Sequence, residues 1–132
     1  MISNLLRRAF PKLISAKTHS AIDYVHAGAN FTAAAVLRNR NRDASNAALG
    51  LGLAGLLNAL LTDYPLGVFR LYSFKTHGVL DHGLAAAAGI IPHVLQFQDQ
   101  PEAKYFHGQA TAGLLIADLS DYGERSRLSS AR

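Results

Sequence analysis

The chain lacks cysteine and tryptophan and has few charged residues for its length. Without cysteine it can form no disulfide, no thiolate metal site and no cysteine nucleophile. Charged residues make up 17% of the 132 residues, against roughly 25% in ordinary soluble domains. The G-x-S-x-G and H-E-x-x-H motifs and a glycine-rich phosphate loop are absent as well, which argues against hydrolysis and phosphoryl transfer.

The net charge of +4 does not indicate a nucleic-acid partner. The 13 Lys and Arg residues lie in connecting segments rather than along one helix face. No nucleic-acid-binding motif accompanies them. We therefore expect no nucleic acid among the partners.

Four long windows contain no Asp, Glu, Lys or Arg: 24–37, 44–62, 82–98 and 105–117. Polar connectors, two of them with proline, separate these windows. We predict an all-α fold whose four helices cover approximately 19–38, 44–62, 76–97 and 104–121. Ser45 and Thr76 are the expected N-caps.

The windows also lack the Lys- and Glu-rich outer face that the helices of a soluble bundle need. Helices of about 18–22 residues rise roughly 27–33 Å, which matches the hydrocarbon thickness of a bilayer. Aromatic residues lie at the window ends, as in the aromatic belts of membrane proteins: Tyr64, Phe69, Tyr72, Phe74, Phe97, Tyr105, Phe106 and Tyr122. We predict a four-helix transmembrane bundle surrounded by lipid; a compact soluble helical domain is the alternative.

The distribution of Lys and Arg predicts an orientation. Four spans place both termini and the 64–75 connector on one side, which carries nine of these residues, and the opposite side carries four. By the positive-inside rule both termini then face the cytoplasm, in a bacterial inner membrane. The first 14 residues contain Arg and no acid, which also fits a mitochondrial presequence and makes the mitochondrial inner membrane the alternative.

The chain repeats itself at an offset of 58 residues. Ser15–Tyr64 aligned without a gap on Ser73–Tyr122 gives 18 identities in 50 positions. We predict two tandem two-helix repeats in parallel orientation, since two spans per repeat return the chain to the same side. The predicted organisation is an interfacial segment 1–14, a first repeat 15–64, a connector 65–72, a second repeat 73–122 and a basic tail 123–132.

The repeat keeps its polar ends and changes its apolar middle. The matched residues that bear chemistry are two His and four Asp, all expected at one end of the bundle: His19, Asp23, Asp63, His77, Asp81 and Asp121. Because His and Asp four residues apart share a helix face, they can touch. They are either structural pairing and capping groups, or a metal site of the carboxylate–histidine kind that helical bundles build, or part of an ion or proton path. Nothing beyond the paired histidines marks a haem pocket.

The run Ala59-Leu-Leu-Thr-Asp-Tyr-Pro-Leu-Gly-Val-Phe-Arg-Leu and the later Lys75-Thr-His-Gly-Val-Leu-Asp-His resemble the SPW-repeat family of small bacterial membrane proteins. The Ser-Pro-Trp tripeptide that names the family is absent. The resemblance covers roughly residues 15–122 and implies two tandem two-helix units, each opening with His-x-x-x-Asp and ending near Thr-Asp-Tyr. It supports the fold and the membrane prediction and implies no catalytic residue.

Together these features predict a non-enzymatic small integral membrane protein with a structural or accessory role. It would act as a homo-oligomer or as a subunit of a larger membrane complex, with no cofactor. The alternative is a membrane protein that binds a metal ion or cofactor through the repeated His-x-x-x-Asp positions. Passage of ions or protons is a further alternative.

Overall fold

The computed structural model describes residues 10–123, and they form a four-helix protein. The helices are α1 (Ala16–Leu37), α2 (Arg42–Leu61), α3 (Phe74–Val94) and α4 (Ala103–Leu119). The all-α prediction is confirmed, and each predicted helix end lies within three residues of the observed one. Most of the predicted interfacial segment 1–14 and of the basic tail 123–132 lies outside the described residues.

The two predicted N-caps are wrong. Ser73 caps α3, and the Thr76 backbone N–H is the donor to its hydroxyl oxygen at 3.2 Å. Ser45 lies inside α2, where its hydroxyl donates to the Ala34 carbonyl at 2.6 Å and joins α2 to α1. The cap of α2 is Asn41, whose side-chain oxygen accepts from the Ala44 backbone N–H at 3.0 Å. Which of several neighbouring polar residues caps a helix depends on where the backbone leaves the helical conformation.

Two short backbone pairings hold the helix ends together. Strand β1 (Thr62–Asp63) follows α2 and pairs in parallel with β2 (Tyr72–Ser73), which precedes α3. A parallel bridge between Ile14 and Ser120 joins the segment before α1 to the end of α4 in the same way. Ile14 and Tyr72 are 58 positions apart, as are Thr62 and Ser120. The start of α1 therefore lies beside the end of α4, and the start of α3 lies beside the end of α2.

Buried apolar residues form two clusters, one at each end of the bundle. The end that contains the α1–α2 and α3–α4 connections, called the far end below, is packed by Leu37, Ala44, Ala48, Phe97, Ala103 and Phe106. The opposite end, called the near end, is packed by Ala16, Ala59, Tyr64 and Phe74. Polar side chains that include His19, Ser20, Asn30, Asn58 and His77 are also buried in the bundle.

Several of the aromatic residues assigned to a lipid-facing belt are in fact core residues. Tyr64 and Phe106 are 0% exposed, and Phe74 and Phe97 are buried as well. Phe69, at 63% exposed, faces outwards. The aromatic-belt interpretation is therefore wrong for the four buried rings, which fill space between helices whose other core residues are mostly alanine.

The outer faces of the helices carry exposed aliphatic side chains. They include Val25 and Val36 on α1, Leu49, Leu53 and Leu57 on α2, Val79, Ile90 and Val94 on α3, and Leu114 and Leu115 on α4. Within the described residues one helix, α2, is long and apolar enough by length and composition to cross a membrane. A four-span transmembrane bundle goes beyond this finding and belongs with the proposals below.

Candidate functional site

Two histidines and two aspartates meet at the near end of the bundle. The His19 and His77 Nε2 atoms are 3.2 Å apart. Carboxylate oxygens of Asp23 and Asp81 lie 2.9–3.3 Å from both nitrogens. One ligand atom from each of the four residues can be chosen so that all lie within 4.8 Å of one another. We call these residues the His/Asp cluster.

The spacing of these residues along their helices brings the four side chains together. His19 and Asp23 lie four residues apart in the first two turns of α1, and His77 and Asp81 occupy the equivalent positions of α3. Positions four apart face the same way on a helix. Since the short pairings bring both helix starts to the near end, the two pairs converge. Both imidazoles are fully buried, and the carboxylates are 13% and 18% exposed.

A hydroxyl from the end of α2 fixes the tautomer of His77. The Thr62 hydroxyl donates its single proton to the Asn58 carbonyl one turn earlier. Its oxygen lies 2.7 Å from the His77 Nδ1 atom and can therefore only accept. His77 Nδ1 must carry a proton, which leaves Nε2 with its lone pair in the neutral ring.

The same arrangement serves His19. The Ser120 hydroxyl donates to the Ile116 carbonyl at 2.6 Å and accepts from His19 Nδ1–H at 2.5 Å. Both rings are thus oriented by a hydroxyl behind them and direct Nε2 towards the centre of the cluster. Outer partners of this kind orient the histidine ligands of protein metal sites.

Each carboxylate has an outer donor as well. The Tyr64 hydroxyl donates to Asp23 Oδ2 at 2.8 Å, and Asn58 Nδ2 donates to Asp81 Oδ1 at 2.9 Å. Burial and then the charge of Asp23 raise the pKa of Tyr64 well above its usual range, so its phenol keeps the proton that it donates. Tyr72 in turn holds Asn58, donating to its side-chain oxygen at 2.5 Å.

The cluster can reach electrical neutrality in two ways. The two ionised carboxylates carry two negative charges, and protonation of both imidazoles on Nε2 balances them. A single divalent cation bound by two neutral imidazoles balances them equally. A buried group of charges is tolerated only when it is compensated, so the site can hold two protons or one metal dication.

A cavity of about 60 Å³ adjoins the cluster between the four helices. Asp23 and Asp81 form part of its lining, as do the polar side chains of His26, Asn30 and Gln109. The two cluster imidazoles do not line it. The cavity therefore touches the carboxylate side of the cluster.

The polar side chains of this cavity form a connected set with Tyr105. Gln109 Oε1 is contacted by His26 Nε2 and by Asn30 Nδ2, the latter at 3.4 Å. Tyr105 donates its hydroxyl proton to Asn30 Oδ1 at 2.9 Å and accepts from Gln109 Nε2. Polar groups thus continue from the cluster into the middle of the bundle.

The other two candidate ligands do not join the cluster. Asp63 lies in β1 and pairs with Arg70 at 3.6 Å, both side chains being about half exposed. Asp121 follows α4 and accepts from the Gly123 backbone N–H at 3.0 Å. The end of the first repeat therefore contributes Thr62 and Tyr64 to the site, and the end of the second contributes Ser120. Neither end contributes its aspartate.

The hydroxyl partners of the two imidazoles were not predicted from the sequence. Thr62 and Ser120 are equivalent in the repeat, but a search for identical residues passes over them because only the hydroxyl is common to both. Matching by chemistry rather than by identity would have found them. The pairing of His82 with Asp118, at 2.9 Å on a partly exposed surface between α3 and α4, was not predicted either.

Comparison with protein-family models, curated proteins and solved structures finds no match to this chain. The resemblance to the SPW-repeat family therefore stays a prediction. The fold and the His/Asp cluster define an all-α protein with a carboxylate–histidine centre, and the functional argument rests on that geometry.

Proposed function

We propose that this protein binds one divalent metal ion through His19, Asp23, His77 and Asp81. The observation that carries the proposal is the convergence of two imidazole Nε2 atoms 3.2 Å apart, each ring fixed by a hydroxyl on its other nitrogen. When both rings are neutral, two lone pairs at that separation repel each other. A metal ion between them turns the repulsion into two bonds, and the carboxylates complete the donor set.

The donor set favours a first-row metal of intermediate hardness. Imidazole nitrogen suits Zn²⁺ and Fe²⁺, while carboxylate oxygen alone suits Mg²⁺, Ca²⁺ and Mn²⁺. Two nitrogens and two oxygens with no sulfur therefore favour Zn²⁺, Fe²⁺ or Mn²⁺ over copper(I). Because bound metal displaces the Nε2 protons, we expect the affinity to rise with pH while the imidazoles titrate.

We further propose that the metal-binding bundle lies in a membrane. The support is an inverted distribution of polarity, with His, Asn, Ser and Thr side chains buried and Leu and Val exposed on the outer faces of the helices. Leu57 is 56% exposed and Val25 73%, whereas soluble bundle helices present charged residues there. Mean hydropathy of a whole helix is lowered by inward polar residues, so it understates how apolar the outer face is.

The membrane proposal is tested by fractionation. We expect the full chain to sediment with membranes and to need detergent for extraction. Alkaline carbonate washing, which strips peripheral proteins, should leave it behind in the pellet. Monodisperse protein recovered from the soluble fraction without detergent would contradict the membrane proposal. The metal-site proposal does not depend on that result.

The metal proposal is tested by elemental analysis of purified protein and by titration of the metal-free form with Zn²⁺, Fe²⁺ and Mn²⁺. We expect one ion per chain. The variant Asp23→Asn/Asp81→Asn removes both charges and should bind none. Its matched control is Asp63→Asn/Asp121→Asn, which changes the other repeated aspartate pair, outside the cluster, and should still bind one.

Two results would overturn the proposal: no binding by the wild type to any of the three ions, or equal binding by the two double variants. The structural role predicted from the sequence then gains support, because two His–Asp contacts, His19–Asp81 at 3.0 Å and His77–Asp23 at 3.1 Å, join α1 to α3 without a metal. In that case Asp23→Asn/Asp81→Asn should lower thermal stability more than the control does.

A further inference from the structure

We propose that the cavity beside the His/Asp cluster is a binding site for a small uncharged molecule that coordinates the bound metal. The inference rests on the proposed metal site and adds a ligand to it. Candidates by chemistry are a water molecule or a diatomic gas such as dioxygen or nitric oxide. The inference follows from the open coordination positions of the metal, the direction of those positions, the charge of the site and the size of the cavity.

The first step concerns coordination. Asn58 holds Asp81 Oδ1, while Oδ2 of the same carboxylate faces both imidazoles. Tyr64 holds Asp23 Oδ2, which also lies 3.1 Å from His77 Nε2, while Asp23 Oδ1 lies 3.3 Å from His19 Nε2, so either oxygen of Asp23 can be the ligand atom. With one oxygen from each aspartate and one nitrogen from each histidine, the protein supplies four donors. Fe²⁺ and Mn²⁺ commonly take more than four, so positions remain for an outside ligand, as in iron sites with open positions.

The second step is the direction of those positions. Hydroxyls and the Phe74 ring lie behind the imidazoles, with the Phe74 and His19 ring centroids 5.0 Å apart. On the other side, the carboxylates border the cavity and the imidazoles do not. Space beside the metal is therefore on the carboxylate side, between the middles of the four helices.

The third step is charge. A metal dication and two carboxylates sum to zero, so an anionic ligand would leave a net negative charge in the bundle. Much of the cavity wall is aliphatic, including Ala27, Leu51, Leu84, Ala85 and Ile116. Such a wall cannot solvate an uncompensated charge. The lining therefore discriminates against anions and accepts neutral ligands.

Size limits the ligand to a few atoms. The cavity of about 60 Å³ is far below the roughly 300 Å³ at which pockets for drug-sized ligands begin. His26, three residues after Asp23 and on the same side of α1, also lines it. Because Gln109 Oε1 accepts from the ring at Nε2, a neutral His26 keeps Nδ1 as an acceptor for a metal-bound water.

The experiment uses the full chain loaded with Fe²⁺ under anaerobic conditions, with nitric oxide as the probe. Nitric oxide bound to high-spin Fe²⁺ gives a characteristic electron paramagnetic resonance signal. We expect a stoichiometric signal from the wild type, and we expect azide, the anionic comparison ligand, to leave the metal's spectrum unchanged at equal concentration.

The matched variants are Gly55→Leu and Gly50→Leu, both on α2. Gly55 lines the cavity whereas Gly50 does not, and a Cβ added at either meets no atom within 4 Å. Gly55→Leu should weaken nitric oxide binding at least tenfold while keeping one Fe²⁺ per chain. Gly50→Leu should leave both unchanged. Ala88→Leu, at a second position in the cavity wall, serves if Gly55→Leu does not fold.

The outcomes separate the two proposals. Failure to bind Fe²⁺ or any other ion overturns the proposed function. Stoichiometric Fe²⁺ with no nitrosyl signal overturns the cavity inference alone. Equal nitric oxide affinity in the cavity variants and Gly50→Leu, or azide binding as tight as that of nitric oxide, also overturns it.

Discussion

The two ends of the bundle are stabilised in different ways. In the His/Asp cluster at the near end both repeats supply the same residues, so His19 and Asp23 meet their equivalents His77 and Asp81. At the far end equivalent positions carry different residues: Ala48 of the first repeat corresponds to Phe106 of the second, and both lie in one cluster. The His/Asp cluster is thus built from identical parts. The apolar packing pairs a large residue with a small one, at the near end as well, where Ala16 corresponds to Phe74 and both lie in one cluster.

This difference follows from what each end requires. Apolar packing needs the right total volume, which one ring and one methyl group supply as well as two medium side chains. A centre that compensates two carboxylates with two imidazoles needs the donors themselves. The two helix pairs supply them only if each keeps its own His and Asp. The His/Asp cluster therefore tolerates less change between the repeats than the apolar packing does.

The largest expected change in stability comes from the far end. Phe106 is 0% exposed and packs edge-on against Phe97, with ring centroids 5.3 Å apart. Phe106→Ala should lower the free energy of unfolding by about 3–5 kcal/mol through lost burial and the cavity left behind, measured by thermal unfolding. Metal stoichiometry should not change in whatever fraction is folded. Loss of metal from the folded variant would show that the two ends are not independent.

The second prediction concerns the hydroxyls at the near end. Thr62→Val keeps the shape of the side chain but removes the acceptor for His77 Nδ1–H. We expect metal affinity to fall by about 10–100-fold, as for other partners behind metal-bound histidines, measured by competition with a chelator. Thr111→Val is the control, because Thr111 is exposed on α4 and bonds only one turn back to His107. Equal affinities for the two variants would contradict the assigned role of Thr62.

A close contact at the near end gives the third prediction. A Cβ built on Gly78 would lie 2.5 Å from the Tyr122 ring, whereas one on Gly83, in the same helix, meets no atom within 4 Å. Gly78→Ala should cost about 1–3 kcal/mol because an overpacked contact forces the ring to move. Gly83→Ala should be neutral or stabilising. Thermal melting of both variants tests this, and a Gly78→Ala midpoint at or above that of Gly83→Ala would refute the contact.

The smallest effect is expected just after α3. Gln96 has φ of +60°, and its N–H and that of Phe97 bond back to His93 and Pro92 carbonyls in a helix-ending motif. Glycine adopts this conformation without steric cost. Gln96→Gly should therefore raise stability by up to about 1 kcal/mol, seen as a higher melting midpoint. A lower midpoint would mean that the Gln96 side chain contributes more than the strain it causes.

Much of the fold could be predicted from local pattern. The charge-free windows predicted all four helices. A helix whose middle carries no charged residue on any face appears in the sequence as a long run without Asp, Glu, Lys or Arg. Capping was predicted less well: Thr76 and Ser45 were chosen where Ser73 and Asn41 cap, since neighbouring polar residues are equivalent until the backbone geometry selects one. The buried positions of Phe97 and Phe106 were also missed, because sequence does not show which side of a helix end an aromatic ring faces.

By itself, the sequence determined that two similar pairs of helices form and that each pair carries His and Asp one turn apart, because helix periodicity and a gapless repeat are local properties of the chain. Only the tertiary structure decided which polar residues meet. It brought the four residues of the His/Asp cluster together, left Asp63 with Arg70 on a half-exposed edge, and placed Thr62 and Ser120 behind the imidazoles. The reason is geometric: contacts between elements depend on the pairing of β1 with β2 and of Ile14 with Ser120, which fixes how the helix ends adjoin.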